Sequence, residues 1–379
     1  MSTLRPGRAL AITVPAIERY LTRRHGPVTN VRVSELGQST QETLKDYGYG
    51  RPLRIDFEVG GAPRTEVLRT MSADPFGHDR RADRVGSMVL DFDTFGRMPR
   101  HIHPLDVGCF EGEELVSMGR GEAWLVTDYV EGELYARDLK ALQHAAAPSP
   151  LDLARAAALA GHLAEVHSAA GDDGLPGQSF AQNGAQNFAW VRAIRDTIGS
   201  GEGIFGLTDS YPDDHPVATR DRLMRLEQAA VAWRWGARDH VRRRARRTHG
   251  DFHPFNILFR EGVDLTALDC SRGAIGEPAD DVCCLSINYL FFRLAGGAQR
   301  FDGALRVLWD HFWGRYLEVT RDHEVRAMVA PFFAWRALVV ASPLWYPHIA
   351  DEVRERLFVF AERLLGGHAF APDRVDELL

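Results

Sequence analysis

The spacing of apolar positions changes along the chain. Over residues 14–25, Ile17, Tyr20 and Leu21 share one side of a 3.6-residue repeat and Pro15 suits a first turn, so a helix is expected. The period then falls to two. Val31 and Val33 alternate with Arg32 and Ser34 in a strand over residues 31–36, and LRIDFEV at 53–59 alternates as a second. Gly60-Gly61-Ala62-Pro63 reads as a hairpin turn leading to a third strand over 65–71. A helix is expected within 78–95 and a strand over 105–109. Residues 124–129, WLVTDY, read as a buried strand that stops at Val130-Glu131-Gly132.

Beyond residue 133 the helical period dominates. LDLARAAALAGHLAEVHS at 151–168 is an amphipathic helix with a supporting role in the core. Residues 171–216 are rich in Gly, Asp, Asn, Gln and Pro and read as an irregular excursion with a short helical piece at 188–198. Asp209, Asp213 and Asp214 in it read as solvated acids or as contacts for an amine. A helix over 220–247 ends in the run Arg242–Arg247, and further helices are expected at 287–294, 305–318, 324–341 and 349–365. Phe332, Phe333, Trp335, Trp345 and Tyr346 read as helical core or as an acceptor pocket. The class is therefore α+β, with strands concentrated early and helices late.

Strands return once among the helices, in THGDFHPFNILFREGVDLTALD, residues 248–269. Ile257–Phe259 forms a short apolar strand, Glu261–Asp264 a turn, and Leu265–Leu268 a returning strand that ends at Asp269. The spacing suits phosphoryl transfer, which depends on positioning and charge neutralisation and so needs few side chains. One carboxylate must meet the acceptor hydroxyl; Asp251 is placed for it. Magnesium takes hard oxygen ligands, and the Asn256 amide with the Asp269 carboxylate supplies two.

The segment HGD-x4-N, a hairpin, then Asp resembles the aminoglycoside phosphotransferase and choline kinase group, small-molecule relatives of protein kinases. Gly276-Glu277-Pro278-Ala279-Asp280-Asp281 is similar to the Gly-Asp-Pro-x-x-Asp segment that follows the metal aspartate there. The resemblance spans roughly residues 29–365, and its specific part is 248–281. It implies a bilobal, protein-kinase-like fold, with an antiparallel N-terminal sheet lobe at 29–130 after a helical extension at 1–28. A mainly helical catalytic and acceptor-binding lobe would follow at 131–379. It also implies transfer of the γ-phosphate of ATP, with Mg²⁺, to a hydroxyl of a small molecule that is aminoglycoside-, amino-alcohol- or sugar-like.

The resemblance extends to the rest of the site. Gly48 and Gly50 would let backbone amides approach phosphates, and Thr127 to Tyr129 would form the hinge whose backbone holds adenine. Kinase-like folds carry a lysine on the third strand, where this chain has Arg69; an arginine keeps the charge but not the shape. Arg69 serves in its place, or Lys45 supplies the charge, or nucleotide binding is impaired and the chain is a regulatory pseudokinase. Asp83 is the nearest match to the acid that pairs with that cation; otherwise it is a surface residue. His253, Arg272 and Arg247 are candidate acceptor or phosphate contacts, against a solvated reading of the arginine run. His249 and Asp281 read as structural supports of the catalytic loop. After Asp269 the chain has Cys270-Ser271-Arg272-Gly273, without the tryptophan and acid common among the amine-acceptor enzymes. A protein kinase is disfavoured, because HGD replaces HRD and no D-F-G or A-P-E segment follows.

Composition narrows this little further. The 379 residues, 45% hydrophobic and 26% charged, match an ordinary globular protein large enough for two cores. A net charge of -7 disfavours general nucleic-acid binding. Cys109, Cys270, Cys283 and Cys284 form no C-x-x-C pair, which fits reduced thiols and a cytoplasmic location. Neither a signal peptide nor a membrane-length apolar run is visible, so no membrane association is expected. His101 and His103 alternate about Ile102 without a third metal ligand in view, which leaves surface or packing roles beside a metal reading. Oligomeric state is not legible.

Overall fold

A computed structural model describes residues 12–36, 52–74, 77–168, 185–237, 244–270, 272 and 275–379. The chain is α+β and divides into two compact units, with the division between Thr127 and Asp128.

In the first unit, α1 (Val14–His25) starts at Thr13, whose hydroxyl accepts the Ala16 N–H at 3.4 Å, and ends at Gly26. Strands β1 (Val28–Glu35), β2 (Leu53–Val59) and β3 (Ala62–Leu68) form an antiparallel sheet in that order. Ile17 and Leu21 pack on Ile55 and Phe57, as the two periods require. Across this seam the Arg24 guanidinium reaches Glu66 of β3 at 2.9 Å. A second helix, α2 (Arg81–Thr94), precedes a hairpin of β4 (Gly108–Glu111) and β5 (Glu114–Ser117).

Three expectations change here. The turn before β3 is the two-residue Gly60-Gly61, with φ +56° and +82°, so β3 starts early, stops at Leu68 and leaves Arg69 outside it. The strand expected at 105–109 lies at 108–111 and folds straight back about Gly112, whose φ is +60°. Residues 124–129 form no strand: Trp124, Leu125, Val126 and Tyr129 are 85%, 86%, 77% and 88% exposed. An apolar run predicts a strand only where a neighbouring edge accepts its backbone, and residues 124–129 pair with no strand among the described residues.

The second unit is mainly helical. Its short strands are β6 (Glu133–Leu134), β7 (Arg246–Arg247), β8 (Ile257–Phe259), β9 (Leu265–Ala267) and β10 (Ile275–Gly276). Its helices are α3 (Tyr135–Ala141), α4 (Pro150–Ser168), α5 (Ala185–Gly199), α6 (Ile204–Asp209), α7 (Arg220–Gly236), α8 (Pro278–Ala295), α9 (Gly303–Thr320), α10 (Val325–Ala341) and α11 (Asp351–Leu365). Helices α8 and α10 are buried over most of their length and pack against each other, with Phe332 and Phe333 fully inside.

The helix expected over 220–247 ends at Gly236, and Arg246–Arg247 instead pair as a strand with Ile275–Gly276. The helix expected at 287–294 starts at Pro278, which sits in the first turn where its missing N–H costs nothing. Glu277 caps it by accepting the Ala279 N–H at 3.3 Å. No helix among the described residues is long and apolar enough to cross a membrane.

Candidate functional site

Two small ladders frame the loop that carries Asp251 and Asn256. The β7–β10 pair holds the chain before Thr248 beside the chain before Glu277. In the β8–β9 hairpin Ile257 faces Ala267, and the Leu268 N–H donates to the Asn256 carbonyl at 2.8 Å. Asp269 therefore follows directly on the residue bonded to Asn256. Its φ of +49° turns the chain out of the strand, and its side chain is exposed.

Asp281, in the first turn of α8, anchors the loop from below. Its carboxylate accepts the His249 N–H at 2.8 Å, the Gly250 N–H at 2.7 Å and a hydrogen bond with His167 Nε2 at 3.0 Å. His167 Nδ1 lies 2.8 Å from the Tyr316 hydroxyl. Complete burial works against ionisation, but His167 and the two amides outweigh it and hold the carboxyl below its usual range. The helix 151–168 thus contributes a buried histidine that acts through Asp281 on the loop backbone. Gly250 has φ +81°, and a Cβ there would lie 3.0 Å from the Arg272 side chain, so any larger residue would be strained.

Asp251 projects from this fixed loop. Arg336 Nη1 donates to its Oδ1 at 2.8 Å, Asn256 Nδ2 to its Oδ2 at 3.3 Å, and His253 Nε2 lies 3.5 Å from Oδ2. His253 Nδ1 accepts the Phe255 N–H at 3.1 Å, which leaves the proton on Nε2, facing Asp251. Burial again opposes ionisation, yet the His253 hydrogen bond and the Arg336 charge prevail and the carboxyl sits well below the usual range. With Asn256 Nδ2 committed to Asp251, Oδ1 is the amide atom left for a cation.

Sequence reasoning missed Arg336. It is buried on α10, bridges Asp251 and Asp280 (Nη2 to Oδ1, 3.2 Å), and donates from Nη2 to the Gly250 carbonyl at 3.1 Å. The signal was present: an arginine in the middle of the apolar run APFFAWRALVVA, where a buried face admits a charge only with a partner. Its guanidinium carbon lies 3.8 Å from the centroid of the Trp335 ring, and that of Arg272 lies 4.2 Å from the same centroid. Arg272 Nη2 reaches to 3.7 Å from Asp251 Oδ1. Asp280, buried beside Asp281, has its carboxyl pushed upward by burial, against the pull of Arg336.

The remaining expected residues are dispersed. Lys45, Gly48 and Gly50 lie outside the described residues. Arg69 is exposed one residue past β3, and Thr127 and Tyr129 are exposed outside any regular element. Asp83 Oδ2 accepts the Arg80 N–H at 2.8 Å at the start of α2. Arg247 is exposed on β7. Arg244, expected on a solvated face, is instead buried against Glu277 and Asp322. His101 and His103 are exposed, and no group of three or more His, Cys, Asp or Glu placed to hold a metal exists among the described residues. A site of Asn256 and Asp269 accordingly offers two hard oxygens and would need other ligands to complete it, as magnesium sites shared with phosphates do. Of the aromatic group, Phe332, Phe333 and Trp335 are buried, Tyr346 packs edge-on to Phe291 at 4.7 Å, and Trp345 is 52% exposed.

The family model of the phosphotransferase enzyme family matches residues 89–317, more than half of the chain. No curated protein matches. Among solved structures, a thermostable mutant of aminoglycoside phosphotransferase APH(4)-Ia in its apo form is 17% identical, with 93% of this chain and 100% of that chain covered and a TM-score of 0.38. Choline kinase from Cryptosporidium parvum Iowa II is 10% identical over 92% of this chain and 85% of its own, with a TM-score of 0.33. The macrolide 2'-phosphotransferase of Brachybacterium faecium is 14% identical over 94% and 99%, with a TM-score of 0.31.

Proposed function

The chain belongs to the phosphotransferase enzyme family, and we propose that it transfers the γ-phosphate of ATP to a hydroxyl of a small molecule with Asp251 as the group that receives and orients that hydroxyl. The observation that carries this is the fixed position of Asp251. Its loop backbone is bonded to Asp281 and its carboxylate to Arg336 and Asn256, so the group approaches an acceptor without reorganising.

A base so acidic abstracts little on its own. Its part is to hold the hydroxyl by a hydrogen bond and to take the proton late, as the oxygen bonds to phosphorus. Asn256 and Asp269 would hold Mg²⁺, which when bound neutralises phosphate charge. His253 faces the same carboxylate and would steady it. Arg69, or Lys45, would meet the nucleotide phosphates. The fit to magnesium rests on the donor set, an amide oxygen and an exposed carboxylate with no sulfur or imidazole between them.

One feature favours a second reading. The cation expected on the third strand is an arginine beyond its end, which fits a nucleotide-binding regulatory protein without turnover. Release of ADP from ATP and Mg²⁺ in the presence of hydroxylated acceptors separates the two. Acceptor-dependent turnover that disappears in Asp251→Asn supports the kinase. Calorimetric ATP·Mg²⁺ binding with no turnover on any acceptor favours the regulatory protein.

A further inference from the structure

We propose that Arg272 and Trp335 form a subsite for an anionic group of the acceptor, a carboxylate or a phosphate, so that the enzyme's substrate is an acidic hydroxyl compound and not a polycationic amino sugar. This rests on the kinase reading of the site.

Arg272 is oriented before any ligand arrives. Its Nε donates to the Gly250 carbonyl at 2.9 Å and its guanidinium lies over Trp335. The Trp335 indole is itself fixed, since Nε1 donates to the Glu202 carbonyl at 2.7 Å. Arg272 also carries less of the neutralisation of the buried acids than Arg336 does. Asp251 and Asp280 are both bonded to Arg336, while Arg272 stands 3.7 Å from Asp251.

The present partner of Arg272 shows what the subsite takes. Glu202 Oε2 lies 3.3 Å from Nη1, and its side chain is 80% exposed against 27% for Arg272. An exposed ion pair of this kind contributes little, so an acceptor carboxylate or phosphate displaces Glu202 readily and gains a planar, bidentate donor. An ammonium group brought to the same place meets the Arg272 guanidinium. Like-charge contact of this sort rejects a wrong substrate.

The test uses the full chain with ATP and Mg²⁺ and four acceptors of similar size: glucose, glucosamine, gluconate and glucose 6-phosphate. Binding of the two anions is followed in parallel by calorimetry with ADP and Mg²⁺. Gluconate or glucose 6-phosphate is expected to exceed glucose in kcat/KM by at least ~10-fold, with glucosamine lowest, and the better anion identifies carboxylate or phosphate as the group recognised. Arg272→Gln should cut the anion-to-neutral ratio by roughly 10- to 100-fold and weaken anion binding. Glu202→Gln should improve anion binding a few-fold by removing the competitor. A preference for glucosamine, its loss in Glu202→Gln, or an equal fall on all acceptors in Arg272→Gln overturns the proposal. Transfer without charge preference sinks the subsite and keeps the kinase. Anion binding that depends on Arg272 without transfer to any acceptor does the reverse, and neither binding nor transfer sinks both.

Discussion

Two clusters of buried charge meet the first turns of α8, and they are built differently. On one side Arg244 forms a forked pair with Glu277 and donates to Asp322 at 2.6 Å, and Trp190 Nε1 donates to Glu277 at 2.6 Å. Glu277 also caps the helix, so each of its oxygens is engaged. On the other side, three residues along, Arg336 holds Asp280 and Asp251, but its Nε has no partner among the described residues and Arg272 beside it stays part-exposed. Both clusters set an arginine against carboxylates under heavy burial. The closed one fastens Arg244, before β7, to the start of α8 and to the turn that follows α9. The open one ends in a carboxylate and a cation that a ligand can reach. Burial of charge alone therefore does not distinguish a candidate site here; the unfinished network does.

The largest effect should come from the open cluster. Asp251→Asn keeps the shape of the side chain and should lower acceptor turnover by roughly 10³-fold, within the range for loss of a positioned base, with an unchanged circular dichroism spectrum. A fall of less than about tenfold would remove Asp251 from the reaction. In the closed cluster the loss should be one of stability. Arg244→Met leaves Glu277 buried and unpaired and should cost about 3–5 kcal/mol in urea unfolding. A loss below about 1 kcal/mol would mean that the pair is not what closes the fold.

Acidity sharpens the contrast. The Asp251 carboxyl is depressed, so its ion pair contributes stability at pH above the unfolded value of about 4 and loses it as pH falls toward the folded value. Through the same range Asp251 stays ionised, and kcat/KM should show no acid limb from it above about pH 5. In Arg336→Met burial is less opposed, and an acid limb should move up into the measured range, while Arg336→Lys should largely restore the parent profile. Coincident profiles for all three would deny Arg336 its positioning role. The smallest effect is expected at the exposed pair of Arg260 and Asp264 beside the hairpin turn, where Arg260→Ala should leave the urea midpoint unchanged. A clear shift there would mean that surface pairing, and not the buried clusters, holds the hairpin.

The sequence by itself determined whatever depends on neighbours in the chain. The 3.6-residue spacing of Ile17 and Leu21 set α1 at Val14–His25, and alternation set β2 at Leu53–Val59, because each period records which side of a local element is buried. The same held for the hairpin that carries Asn256 to the residue before Asp269, since turn residues and two short apolar runs suffice for it. Only the tertiary structure decided that Arg336, 85 residues from Asp251, meets that carboxylate, and that Arg244 in a charge run is buried while WLVTDY is exposed. A periodic pattern states that a face will be covered, but not by what. The partner of a charge or of a strand edge is chosen by long-range packing, where an unpaired buried group is costly enough to select one arrangement over the rest.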